Sequence, residues 1–477
     1  MRRSAKFDQS MEIVVNRTPT EDNSSTPDGQ ERQVLGEVIA DAVLLPPAAI
    51  SPARGVFAST NEADGSGSEV PVKRLRVGLI WVLVFLAFGA QMAVVTPLAF
   101  SLTVKLDILV PGRVDVLGAI TGIGAIASVI ATPLVGVLSD RTRSRLGRRR
   151  PWAISGAVAG LIGLSTLAIA PSVPLVVVGW IITLVGWQTA SNMVVAFLGD
   201  RLPEEQRGRV SAYTGFAGMV APIVGIGLVS SVASQLVLLF LIPGVVAVLG
   251  VILFVIFARE VPELEPPQKT SLGRIFSQMV FNPRKAPNYA WNWLGRALLF
   301  FGLSFTTTYG TYFLAARLQL PVSGVGGIVA ILGIGGIVTG ALGALGVGFL
   351  ADRLKRRKIF VLISGLIMVA GTIVSAVSHE LPGLIAGALL ATLAIGAFST
   401  VDQAIVLDVL PNREESGRYL GIMQLAQQLP NTVGPLAAAG ILAIGGSAAN
   451  YTLMYITSGA LALLGALVIL LKVRNVR

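Results

Sequence analysis

Arg296 and Asp402 are the side chains best placed to do chemistry, because each interrupts an otherwise apolar stretch. On insertion scales an ionisable residue at the centre of a membrane helix costs about 2.5 to 3.5 kcal/mol, so one that is kept must be compensated or used. Arg296 lies eight residues after Asn288 and Asp402 six residues before Asp408, which places both roughly 9 to 12 Å from the same membrane face. Three readings stand open for them. Arg296 snorkels to the interface and helix-end donors satisfy Asp402; or the two form an inner gate or structural ion pair that keeps the carboxylate charged; or Asp402 takes up a proton when Arg296 swings to a substrate, as a coupling carboxylate would.

Around the arginine, Ser304, Thr307 or Thr308, and Thr311 recur at helical spacing with Tyr309 and Tyr312 beside them. Such a hydroxyl stripe suits a polyol, and it is equally ordinary helix-packing material in lipid. Gln91, Trp187, Gln188 and Asn192, together with Gln424, Gln428 and Asn431 at i, i+4 and i+7, need partners inside a bilayer and so should face the protein interior. Amides and indoles are what a neutral sugar requires. The candidate substrate contacts are therefore Gln91, Gln188, Asn192, Asn292, Arg296, Thr307, Tyr309, Gln424 and Gln428. Enzyme chemistry has little to draw on: cysteine is absent, His379 is the lone histidine, and a Walker-type glycine-lysine loop is missing. Neither a metal nor a cofactor is expected.

The elements that must hold these residues follow from composition. Of 477 residues, 53% are hydrophobic and 13% charged, and the mean hydropathy is +0.74, which excludes soluble and disordered classes for most of the chain. Apolar stretches near 77–101, 116–138, 152–171, 174–199, 210–232, 235–257, 290–316, 322–350, 359–378, 381–407, 419–445 and 450–471 predict twelve transmembrane helices. Lys and Arg alternate between loops, 27 on one side against 3 on the other (Lys105, Arg113 and Arg317). By the positive-inside rule both termini are then cytoplasmic, in a multi-pass protein of the cell membrane. The basic loops would also meet anionic lipid headgroups. Their alternation with helices explains them without nucleic acid. Residues 1–72 carry six basic against eleven acidic side chains and read as a disordered acidic tail without a signal peptide.

The chain also repeats itself. Asp140 in GVLSDRTRSRLGRRRPW and Asp352 in GFLADRLKRRK are 212 residues apart, while Asp200 and Asp408, like Pro222 and Pro430, are 208 apart. The expected organisation is a six-helix bundle over 73–258, a cytoplasmic linker over 259–289 and a second six-helix bundle over 290–477. Repeats around a midplane site are a common transporter plan.

At these motifs the sequence resembles the major facilitator superfamily, and its Ser139 to Trp152 segment is similar to that of sucrose transporters and their relatives in the glycoside-pentoside-hexuronide:cation symporter group. The resemblance implies an all-α, twelve-helix carrier in which helices 1, 4, 7 and 10 line a central cavity. It also implies a cytoplasmic latch of Asp140, Arg141, Arg148 and Arg149, with Asp352 and Arg353 as a second copy. Helix 4 offers Gln188, Ser191 and Asn192 where related sucrose carriers place an acid and an arginine, and helices 1 and 2 lack the paired acids of sodium-coupled melibiose carriers. The expectation is a monomeric secondary transporter working by alternating access, importing a sugar-like solute with protons. An exporter of amphipathic molecules and, behind it, a non-transporting sensor are the alternatives.

Overall fold

The computed structural model describes residues 75–474 except 145, 259–280, 413–414 and 445–448, and leaves out the side chains of Asp140, Asp200, Glu204 and Glu205. The expected tail over 1–72 and most of the linker lie outside the described residues. Within them the chain is all helical: α1 (Val77–Leu109), α2 (Asp115–Arg141), α3 (Arg150–Ile169), α4 (Val173–Arg201), α5 (Glu204–Ser230), α6 (Leu236–Phe257), α7 (Pro287–Leu318), α8 (Gly326–Leu354), α9 (Arg357–Val377), α10 (Leu381–Asp408), α11 (Ser416–Leu442) and α12 (Tyr451–Lys472). Proline in the first turn starts α3, α4, α7 and α10, where its fixed φ fits and its missing N–H has no partner to lose.

Among the described residues, ten of the twelve helices are long and apolar enough to cross a bilayer by length and composition; α7 and α11 are the two that fall short. Both carry many amide and hydroxyl side chains, from Asn288 to Thr311 on α7 and from Gln424 to Asn431 on α11. The helices that read least like membrane spans are those that bear most of the candidate site.

Two boundaries differ from expectation by more than four residues. Helix α5 starts at Glu204, not near 210. Helix α1 runs on to Leu109, past the expected end at 101. Pro97 has no N–H to give its own helix, and the backbone passes through a π-helical turn over Pro97–Ser101 before resuming α-helix. Lys105, expected in a loop, is therefore on the helix and buried, with Nζ donating to the Ala168 carbonyl at 3.0 Å. That carbonyl is in the last turn of α3, where the helix dipole favours a cation.

Packing repeats with the sequence. Helix α1 contacts α4, α5 and α6, α3 contacts α4 and α6, and α2 contacts α4; the same pairings recur with every number raised by six. Glycines make one of these crossings possible. A Cβ on Gly163 of α3 would meet the α4 backbone at the Gly179 carbonyl (2.8 Å) and at Thr183 N. A Cβ on Gly371 of α9 would meet α10 at the Gly387 carbonyl and Ala391 N, both at 2.8 Å. All three positions are offset by 208. So is a pair of cations: Arg150 Nε donates to the Ala258 carbonyl past the end of α6 (2.6 Å), and Lys358 Nζ to the Val473 carbonyl past the end of α12 (3.0 Å).

Between the two sets, α2 packs on α11 and α5 on α8. The close approaches fall at the end away from the basic loops: Gly122 against Leu436, Gly326 against Ser230 and Phe100, Gly333 against Ile223. There too Thr311 Oγ1 of α7 donates to the Ala99 carbonyl in the π turn (2.5 Å), and Tyr312 Oη to the Thr103 carbonyl (3.2 Å). Toward the basic loops, a Cβ on Gly136, Gly208 or Gly346 would find nothing within 4 Å among the described residues.

Replacing Gly371 by valine should force α9 and α10 apart and, as overpacking, cost about 1 to 3 kcal/mol. Thermal unfolding of the purified protein should show a lowered midpoint for Gly371→Val and none of that loss for Gly346→Val, whose side chain enters open space. Equal midpoints would refute the close crossing.

Candidate functional site

Helix α7 brings Arg296 against α10 and α11. Arg296 and Asp402 are both buried, at 7% and 2% exposure, and Arg296 Nη1 donates to Asp402 Oδ2. The snorkelling reading of the arginine is thereby set aside. Its Nη2 donates to Gln427 Oε1 at 3.3 Å, and its guanidinium carbon stands 5.5 Å from the centre of the Phe300 ring, a distance at which cation–π attraction operates. The α7–α11 contact that supports this geometry is made by side chains reaching to backbone: Tyr289 Oη donates to the Tyr419 carbonyl (2.6 Å) and Trp293 Nε1 to the Ile422 carbonyl (2.9 Å). On the other flank, Gly295 sits against the Gly465 carbonyl of α12.

The pair is under-satisfied. Among the described residues, Asp402 Oδ1, Arg296 Nε and both amide atoms of the fully buried Asn292 have no hydrogen-bond partner. The Asn292 amide, although without a hydrogen-bond partner by strict geometry, stands beside the Asp402 carboxylate. A single-pronged ion pair with spare donors and acceptors can rearrange for little loss of contact, unlike a fully bonded one.

The other candidates divide by exposure. Gln91, Thr307 and Gln428 are exposed, and Gln188, Asn192 and Gln424 half-buried. Polar side chains that keep open surface on membrane helices are expected to border water, not lipid. Tyr309 differs: it is fully buried, with its hydroxyl donating to the Pro435 carbonyl (3.2 Å) at the closed end, beside Gly118 of α2. Trp187 is fully buried against Gly160 of α3 and serves packing. Sequence spacing singled out Gln424 and Gln428 and passed over Gln427, the α11 amide that bonds Arg296.

At the basic-loop end, Arg357 Nη1 donates to Asp408 Oδ2 (2.5 Å), and its Nη2 stands 3.9 Å from Asp352 Oδ1. The start of α9 thus ties the ends of α8 and α10. Arg353 is exposed. In the first copy, Arg149 is buried and its Nη1 donates to Ser139 Oγ (3.1 Å). Arg141 and Arg148 each have a further interaction, and the Asp140 side chain lies outside what is described.

A family model described as Major Facilitator Superfamily matches residues 77–346 and 337–477. Among curated proteins, an uncharacterized symporter of Synechocystis sp. is 51% identical over 41 residues, 9% of this chain and 8% of that protein. The general alpha-glucoside permease of Schizosaccharomyces pombe is 29% identical over 123 residues, 25% of this chain and 21% of that protein. Both matches span well under two thirds of the relative's length. Among solved structures, the nucleoside transporter NupG superposes with a TM-score of 0.65 at 13% identity, over 83% of this chain and 98% of that one. A bacterial homolog of the human lysosomal transporter Spinster, inward-facing and unoccupied, gives 0.61 at 14%, over 86% and 98%. These two likenesses concern the fold.

Removing one member of the buried pair leaves the other charge uncompensated, at a cost of about 3 to 5 kcal/mol, whereas replacing both with apolar groups is often neutral. Arg296→Leu alone should therefore lower the thermal midpoint clearly, and Arg296→Leu with Asp402→Leu should recover most of it. Additive losses in the double variant would show that the two side chains act independently.

Proposed function

The chain belongs to the Major Facilitator Superfamily and is a multi-pass secondary transporter, not an enzyme, and we propose that it imports a sugar or sugar-like solute together with protons by alternating access. In this reading α1 to α6 and α7 to α12 are two six-helix halves, related by the repeated pairings, that rock about the α2–α11 and α5–α8 contacts. The positive-inside rule puts the basic loops and both termini in the cytoplasm. The closed end is then external and the molecule open inward, as the Spinster homolog is named to be.

The observation that carries the proposal is the buried Arg296–Asp402 pair, with Asp402 Oδ1 unpartnered among the described residues and the neutral amides of Asn292 and Gln427 beside the two charges. Gln91 on α1, Gln188 and Asn192 on α4, Thr307 on α7 and Gln424 and Gln428 on α11 offer donors and acceptors without net charge, which matches a polyhydroxylated neutral solute better than an ion. The pair supplies what coupling needs. A proton on Asp402 releases Arg296, and Arg296 becomes free to bond the solute. The permease match, to a protein named for alpha-glucosides, and the match to a symporter support the same reading. The basic loops hold anionic lipid, the chain works as a monomer, and the proton gradient replaces any cofactor.

Uptake of a labelled mono- and disaccharide panel into proteoliposomes, with and without an inward proton gradient, tests this. Wild type should accumulate at least one sugar only with the gradient. Asp402→Asn should lose accumulation by about tenfold or more while keeping exchange, since the neutral amide imitates the protonated carboxyl. Failure of well-folded wild type to accumulate any sugar would overturn the substrate class and turn attention to export of amphipathic molecules. Accumulation that survives in Asp402→Asn would overturn the coupling role.

A further inference from the structure

Gln427 is a residue that the sequence spacing passes over, and its position is informative. Its Oε1 accepts from Arg296 Nη2 at 3.3 Å, while Asp402 takes the other terminal nitrogen, Nη1. It is half-buried, and its sequence neighbour Gln428 is exposed. Three residues on, Pro430 removes the N–H that the Ala426 carbonyl would otherwise receive, and Pro435 does the same for Asn431, so the stretch of α11 that begins at Gln427 is short of backbone bonds. Helix α11 is also the element of its set that packs on α2 of the other.

We propose that Gln427 is a positioning residue that holds the Arg296 guanidinium on Asp402, and that a solute hydroxyl bonding the Gln427 amide loosens that hold. An Arg–carboxylate pair made through one nitrogen is free to pivot; a second acceptor on the other nitrogen fixes its plane. With Arg296 Nε and Asp402 Oδ1 unpartnered among the described residues, Gln427 supplies the acceptor that orients the guanidinium from outside the pair. Withdrawing it lets Arg296 swing. The carboxylate then loses its nearest positive charge and takes a proton more readily. Solute binding and proton binding would meet at this amide. The inference rests on the transport reading for its meaning, and its test does not.

The test is infrared titration of the Asp402 carboxyl in the purified full chain in lipid nanodiscs, with the band assigned by its loss in Asp402→Asn. Gln427→Met keeps the side chain's length and removes the acceptor. Its Asp402 band should appear at a proton concentration about tenfold or more below that needed in wild type, because weaker charge pairing favours the neutral acid. Should the Met variant not fold, Gln427→Asn, whose carbonyl is one methylene short of Arg296, asks the same question. A titration coincident with wild type in the folded variant would overturn the role of Gln427. That readout stands whether or not sugars are transported, so loss of the substrate assignment and loss of this inference are separate outcomes.

Discussion

Two opposite charges buried in an apolar bundle constrain nearly everything around them. Taking a carboxylate and a guanidinium out of water is recovered only where geometry and further hydrogen bonds are good, and here α7, α10 and α11 must meet at one level for Arg296 to reach Asp402 and Gln427 at once. The backbone-directed bonds of Tyr289 and Trp293 fix α7 on α11, and the glycine contact at Gly295 fixes it on α12. The same concentration of polar groups lowers the apolar character of α7 and α11 below that of the other ten helices. They are sustained by their neighbours more than by lipid, as discontinuous or polar helices in transporters commonly are.

The repeat in the packing does not extend to the charges. At the offset of 208 that relates the glycine crossings and the terminal cations, the counterparts of Arg296 and Asp402 are Phe88 and Val194. The two sets share a scaffold and differ in chemistry: the first carries the candidate amides of α1 and α4, the second the buried ion pair. In the proposed transport cycle such a frame would have two equivalent poses, while the charge that is titrated sits in one set of helices alone.

Much of this was legible in the sequence, and for physical reasons. Apolar runs of membrane length give the helices, and the aspartates at helix ends give the repeat, because a charge in lipid is costly enough to be placed only where it is needed. What escaped did so for equally definite causes. Lys105 and Asp107 look like a loop, yet Lys105 is satisfied by the end of α3, a contact that no local pattern announces. Gln427 lost to Gln424 and Gln428 because an i, i+4 rule picks one face of α11, whereas the amide that Arg296 reaches is a residue between them that the rule skips. Tyr309 shares the polar stripe of Arg296 but belongs to the closed end, and which end is closed is a tertiary fact. The equivalence of Gly163 and Gly371 was hidden among 53 glycines until the backbones they face were visible.

The central claim is that the two helix sets exchange a closed end for an open one around the Arg296–Asp402 pair. The chain has no cysteine, so spin labels can be introduced without altering the background: one pair at Gly208 and Gly346 near the basic loops, another at Ser231 and Gly327 at the opposite end. Pulsed distance measurements should be made on wild type and on Asp402→Asn, which releases the pair. The account predicts a second population in the variant, with the first distance shortened and the second lengthened together. Distances that stay fixed at both ends, or that change in the same sense, would contradict it.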